Sequence, residues 1–106
     1  KEEEEIPPFL PFEDQPQPIG GMDAIRNLVK YPELAQKAGI EGLVIIQVLV
    51  DKEGVPREFN VVQSLGNNGC DEAAIDAIRQ VRFIPAKQNG SPVPFRMNIP
   101  VRFQIR

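Results

Sequence analysis

The 106-residue sequence has no histidine and no tryptophan, and only one cysteine and one tyrosine. Without histidine there is no imidazole for acid–base work near neutral pH, no His-ligated metal, and no Ser-His-Asp or Cys-His arrangement. A single cysteine makes neither an internal disulfide nor a Cys-rich zinc site. No stretch approaches the ~18 consecutive apolar residues of a membrane-spanning helix. A strongly basic stripe is also missing, since the net charge is −3, so nucleic acid is not an expected partner. These absences argue against an enzyme, and no cofactor or metal is expected. What is present is ordinary for one globular domain: 42% apolar and 25% charged residues. The chain begins at Lys1 rather than at a methionine and is expected to be cut from something longer, with any signal or anchor outside it.

Charge and proline divide the chain. In residues 1–18, Lys1 stands against Glu2, Glu3, Glu4, Glu5, Glu13 and Asp14, and five of the 11 prolines fall there. Dense proline and a run of like charge oppose both helix and central strand. Residues 1–18 are therefore expected to be an acidic, Pro-rich linker end, and residues 19–106 the folded domain. Ile6, Phe9, Leu10 and Phe12 are too apolar for a plain spacer and are expected to pack on the domain as an extended strip.

Gly20-Gly21 breaks the chain before Met22, Ile25, Leu28 and Val29, whose spacing predicts a helix from Met22 to Lys30. Tyr31-Pro32 stops it, and Pro32 can open a second short helix to Ala38 from its first position, closed by Gly39. Leu43 to Val50 is apolar except for Gln47, which predicts a central strand covered on both faces. Asp51 to Gly54 is a turn, and Val55 to Ser64 the return strand, with Phe59 and Val61 on one face and Glu58, Asn60 and Val62 on the other. Asp71 to Arg82 predicts the clearest helix, acidic in its first turn and basic in its last, with Ala74, Ile75, Ile78 and Val81 buried. Finally Val93 to Ile105 alternates with few exceptions, with Val93, Phe95, Met97, Ile99, Val101, Phe103 and Ile105 on a core face.

The fold class that follows is α+β: a three-stranded antiparallel sheet of order 2-1-3, with the helices packed on it. The strand with two apolar faces belongs in the middle, which leaves the last strand at an edge. Pro94 and Pro100 share parity, and proline is tolerated only where no ladder donor is needed. Their side is expected to be the free edge, with the N–H groups of Arg96, Asn98, Arg102 and Gln104 turned outward. Such an edge is either merely blunted by proline and charge or a rail for an extended peptide; periodicity does not decide between them. Among other residues, Cys70 is expected to be a small buried residue at a helix start rather than a reactive thiol. Asp71, Glu72 and Asp76 are expected to form a solvated first turn rather than a metal site.

The ordered set of motifs adds a resemblance. Pro18-x-Gly20-Gly21, Tyr31-Pro32, Ala38-Gly39-Ile40-Glu41-Gly42, Val50-Asp51-x-x-Gly54, Gln63-Ser64-x-Gly66, Asp71-Glu72-Ala73-Ala74, Phe83-x-Pro85-Ala86, Asn89-Gly90-x-Pro92-Val93 and Ile99-Pro100-Val101-x-Phe103 follow one another across residues 18–106. Together they resemble the C-terminal domain of TonB energy transducers, of the type common in Bacteroidetes-like bacteria. The resemblance implies a periplasmic domain anchored to the inner membrane by an upstream segment. It also implies coupling to the proton-driven ExbB–ExbD motor and a grip on the TonB box of outer-membrane transporters for siderophores, cobalamin or glycans. Carried over, the box lies along Arg96, Met97, Asn98, Ile99, Val101, Arg102, Phe103 and Gln104, with Lys30 and Tyr31 alongside. A TolA-like envelope linker or a sensor ectodomain of the same fold is the alternative, and a strand-swapped homodimer is compatible with a free edge.

Overall fold

The computed structural model describes residues 14–105; Ile6, Phe9, Leu10 and Phe12, expected to form a packing strip, lie outside them. In chain order the elements are β1 (Gln17–Pro18), α1 (Met22–Arg26), α2 (Glu33–Lys37), β2 (Gly42–Val50), β3 (Pro56–Gln63), α3 (Cys70–Arg79), β4 (Phe83–Ile84), β5 (Ala86–Gln88), β6 (Ser91–Val93) and β7 (Phe95–Phe103). The main sheet is antiparallel with the order β3-β2-β7, so the first long strand is central and the last is an edge, as the apolar patterning requires.

Val44, Ile46, Val48 and Val50 of β2 are buried against Ile99, Val101 and Phe103 of β7 and against Ala74, Ala77 and Ile78 of α3. Period 2 in the strands thus meets period 3.6 in the helix at one core. The second face of β2 is less covered than its composition predicts: Leu43, Ile45 and Gln47 are only half-buried.

The two edges differ. β2 and β7 pair over nine residues without a register shift, from Gly42↔Phe103 to Val50↔Phe95. β3 takes an extra residue twice, once between Asn60 and Arg57 and once between Gln63 and Val61. Glu58, in the first bulge, has φ +55°. Bulges reset the side-chain alternation, which corrects the expected facing of this strand: Val61 and Val62 are both exposed, and Phe59 alone is half-buried, under the Arg79 guanidinium 5.1 Å from its ring centre.

Pro94 also departs from expectation. It is buried between β6 and β7 and is not on the edge strand. The chain bends there because Ser91–Val93 turns back on Ala86–Gln88 as a separate hairpin. Helical spans are shorter than the apolar spacing suggests: α1 stops at Arg26 and α3 at Arg79. Pro32 is the extended N-cap of α2 rather than its first residue. Gln17–Pro18 pairs with Phe83–Ile84, and the Ile19 amide donates to the Arg82 carbonyl at 2.8 Å.

The β2–β3 turn is held by Asp51. One carboxylate oxygen accepts the Glu53 and Val55 amides, both at 2.9 Å, and the other accepts Arg57 Nε at 2.6 Å. Burial pushes this carboxyl up, but the Arg57 bond, the two amide bonds and the Arg57 charge outweigh it, so it titrates below the usual range. Gly54, at φ +84°, receives the Phe83 amide on its carbonyl at 2.8 Å; a Cβ there would sit 2.0 Å from the Phe83 carbonyl oxygen.

Two outcomes follow. Asp51→Asn should lower unfolding stability at pH 7 by about 1–3 kcal/mol. A carboxyl lowered on folding contributes above its unfolded pKa of about 3.9 and loses that contribution as pH falls through the lower native value. Urea unfolding of the two proteins should therefore converge below about pH 4; a gap that stays constant with pH contradicts the assignment. Gly54→Ala should cost more than the ~1 kcal/mol of an ordinary Gly→Ala strain, because the backbone of Phe83 must move as well.

Candidate functional site

β7 pairs with β2 alone among the described residues. Its side chains alternate, with Ile99, Val101 and Phe103 buried and Arg96, Asn98, Pro100 and Arg102 exposed. Pro100, which has no N–H, faces Ile45 in the register. Beyond the strand, the Ile105 amide donates to Glu41 Oε2 at 3.1 Å, so an odd-numbered amide points toward the β2 side there.

At the C-terminal end of β7 the edge borders a hollow of about 460 Å³. Met22, Ile25, Arg26 and Val29 wall it on the α1 side, Tyr31 follows them, and Leu43 and residues 100–104 complete it. Tyr31 is fixed from two directions. Its ring meets Phe103 edge to face, with centroids 5.3 Å apart at 74°, and its hydroxyl donates to the Ile40 carbonyl. Burial pushes the Tyr31 phenol up, and the charges of Glu41 and Cys70 add to this.

The expected site residues therefore separate into groups. Tyr31, Val101, Arg102, Phe103 and Gln104 meet at the hollow. Arg96, Met97, Asn98 and Ile99 occupy the other half of the strand; Met97 and Ile99 turn to the core. Arg96 reaches Glu58 on β3 at 2.9 Å. Lys30 lines a different hollow, between Leu28, Pro32 and the outer side of α3. Met22, Ile25, Arg26, Val29 and Leu43 were not expected at the site. The apolar spacing of Met22, Ile25 and Val29 was a signal, but it reads equally as a core stripe, and only Ile25 is fully buried.

The carboxylates of α3 serve the loop and the helix. Asp71 accepts from the Ser64 hydroxyl and the Leu65 amide, and Asp76 pairs with Arg79 at 3.0 Å. Cys70 is fully buried, and burial, then Asp71 and Glu72, push its thiol up; it lacks the acidified environment of a reactive cysteine.

The family model for the Gram-negative bacterial TonB protein C-terminal matches residues 27–105. The chain belongs to this family. It is 37% identical over 76 residues to protein TonB of Vibrio cholerae, covering 72% of this chain and 31% of that protein. Over 79 residues it is 38% identical to protein TonB of Xanthomonas campestris, covering 74% of this chain and 35% of that one. The solution structure of the Helicobacter pylori TonB C-terminal domain superposes with a TM-score of 0.61 at 27% identity, over 77% of this chain and 86% of that one. The chain thus spans about a third of the length of these curated TonB relatives. No helix among the described residues is long and apolar enough to cross a membrane.

Because the sequence has one tyrosine, the environment of Tyr31 can be read directly. Absorbance titration should place its ionisation above the ordinary value of about 10, and denaturant should return it there. Titration at the ordinary value in the folded protein would mean that the buried environment of Tyr31 does not hold in solution.

Proposed function

We propose that the chain is the periplasmic end of a TonB-type energy transducer, held to the inner membrane by a segment outside this sequence. It grips the TonB box of outer-membrane transporters along β7 and transmits force from the proton-driven ExbB–ExbD motor, without catalysing a reaction. Residues 1–18 are the end of the spacer, and Gln17–Pro18 carry the pull into the body through their pairing with Phe83–Ile84.

One observation carries this reading: β7 is a nine-residue edge strand in unbroken register with the central strand. The competing edge, β3, is bulged twice, a device that discourages pairing. Antiparallel ladders alternate the side on which each residue's N–H points. With Pro100 unable to donate, the donors to β2 belong to the odd-numbered residues, and the amides of Arg96, Asn98, Arg102 and Gln104 face outward. A docked box would make about five or six bonds of ~0.5–1.5 kcal/mol net each. Less the ordering of a flexible segment, this gives binding in roughly the micromolar class. Force along the strand axis loads these bonds together rather than peeling them singly, so a modest affinity can still transmit a pull.

The test titrates the chain with synthetic TonB-box peptides while following backbone amide shifts. Shifts should centre on residues 96–104, and a centre elsewhere contradicts the reading. Asn98→Pro removes an outward donor and should weaken binding severalfold with the fold retained, whereas Met97→Pro removes a ladder donor and should unfold the sheet. Unchanged affinity in Asn98→Pro would refute the assigned side.

A further inference from the structure

The main sheet has two faces, and the helices use one of them. Ile25 of α1, Ala35 of α2 and Ala74, Ala77 and Ile78 of α3 share a core with Val44, Ile46, Val48 and Val50 of β2. Every buried residue of the three helices belongs to that core. The other face of β2 carries Ile45, Gln47 and Leu49. Ile45 and Gln47 are only half-buried, although an apolar run such as that of β2 calls for cover on both sides. Leu49 is framed in register by two arginines, Arg57 on β3 and Arg96 on β7. Each guanidinium is held by a carboxylate, Arg57 by Asp51 at 2.6 Å and Arg96 by Glu58 at 2.9 Å. Planar groups fixed in this way suit aromatic rings. At the far end of the same face Arg102 pairs in register with Leu43 and has no acidic partner among the described residues.

The described chain starts at the Leu49 end of the sheet. The Asp14 carbonyl accepts the Lys87 amide at 3.3 Å, and Pro16 is buried. That corner is tied to the β2–β3 turn by the Phe83 amide, which donates to the Gly54 carbonyl at 2.8 Å. The residues before Asp14 lie outside the described ones, and their sequence has a pattern. Ile6, Phe9 and Phe12 recur at every third position, among Pro7, Pro8 and Pro11. A polyproline II helix has three residues per turn, so this spacing suits one apolar side. Glu2 to Glu5 come just before it. At ~3.1 Å per residue, Glu5 would stand roughly 22 Å from Phe12, and Leu43 stands ~20 Å from Leu49 along an extended strand. A strip starting at Leu49 would bring its acidic run to Arg102.

We propose that the helix-free face of β2 is the docking surface of this chain's own residues 6–12, with Ile6, Phe9 and Phe12 turned to Ile45, Gln47 and Leu49 and with Glu2 to Glu5 at Arg102. The rings of the two phenylalanines lie on the framed arginines and remove the half-buried apolar surface of β2 from water. Proline lowers the entropy lost when the strip is ordered, which favours docking of so short a segment. The acidic run acts through exposed charge, so it contributes less than the apolar contacts and is screened by salt. By composition residues 6–12 belong to the linker; docked, they travel with the body of the domain. This inference does not depend on what β7 binds.

The test uses chymotrypsin on the 106-residue chain. Cleavage between Phe9 and Leu10 should be at least about tenfold slower than in a synthetic peptide of residues 1–18, because proteolysis follows the population of the opened segment. Ile6→Ser with Phe12→Ser keeps the Asp14 anchor and should return cleavage to near the peptide rate, with the amide spectrum of the sheet core unchanged. Equal rates in chain and peptide, or protection that survives the double substitution, would overturn the proposal. Arg102→Gln should speed the same cleavage about threefold at low salt and leave it unaltered at high salt; no effect at low salt would contradict the place given to Glu2 to Glu5. Nuclear Overhauser contacts should join the Phe9 and Phe12 rings to the methyl groups of Ile45 and Leu49 at every protein concentration. Contacts to another part of the domain, or contacts that vanish on dilution because a second copy supplies the strip, would overturn it.

Discussion

The structure depends on the β2–β7 ladder. Nine consecutive pairs without a shift fix which side of β7 faces the core, and a slip of one residue would turn every apolar side chain of the strand to water. The same ladder decides where the unused backbone groups of β7 point. Fold and candidate site are therefore one constraint: the contacts that bury Ile99, Val101 and Phe103 also orient the outer border of the strand.

The rest of the domain supports that border without covering it. α3 seals the core from below through Ala74, Ala77 and Ile78. The Asp51 turn sets the β2–β3 hairpin, and bulges make β3 a poor competitor for strand addition. Tyr31, pinned by Phe103 and the Ile40 carbonyl, ties the segment after α1 to the end of β7 at the wall of the hollow. Near the N-terminus, the short β1–β4 pair is where the spacer side of the chain meets the body. On the proposed reading, a pull enters there and leaves along β7.

Much of this was legible in the residues. Eight nearly uninterrupted apolar positions from Leu43 mark the central strand, strict alternation from Phe95 marks the edge strand, and the sheet order follows from the two. What stayed hidden has physical causes. The two-residue pair β1–β4 and the three-residue hairpin β5–β6 are too short to carry a periodic signal. Alternation across Val93 to Phe95 survives the bend at Pro94, so Pro94 read as part of the edge. The bulges at Glu58 and Val62 reverse facing without any glycine to announce them. The apolar stripe of α1 looked like core, and only the fold shows that Met22 and Val29 wall a hollow instead. Lys30, adjacent to Tyr31 in sequence, points to a different hollow because the chain turns between them.

Amide hydrogen exchange along β7 in the free chain bears most directly on the central claim. The amides of Met97, Ile99, Val101 and Phe103 should be protected to the level of the global fold, while those of Arg96, Asn98, Arg102 and Gln104 exchange close to the rate of open chain. Equal protection of both sets in the monomer would mean that the outer border of β7 is already bonded, and the account of an unpaired edge would be wrong.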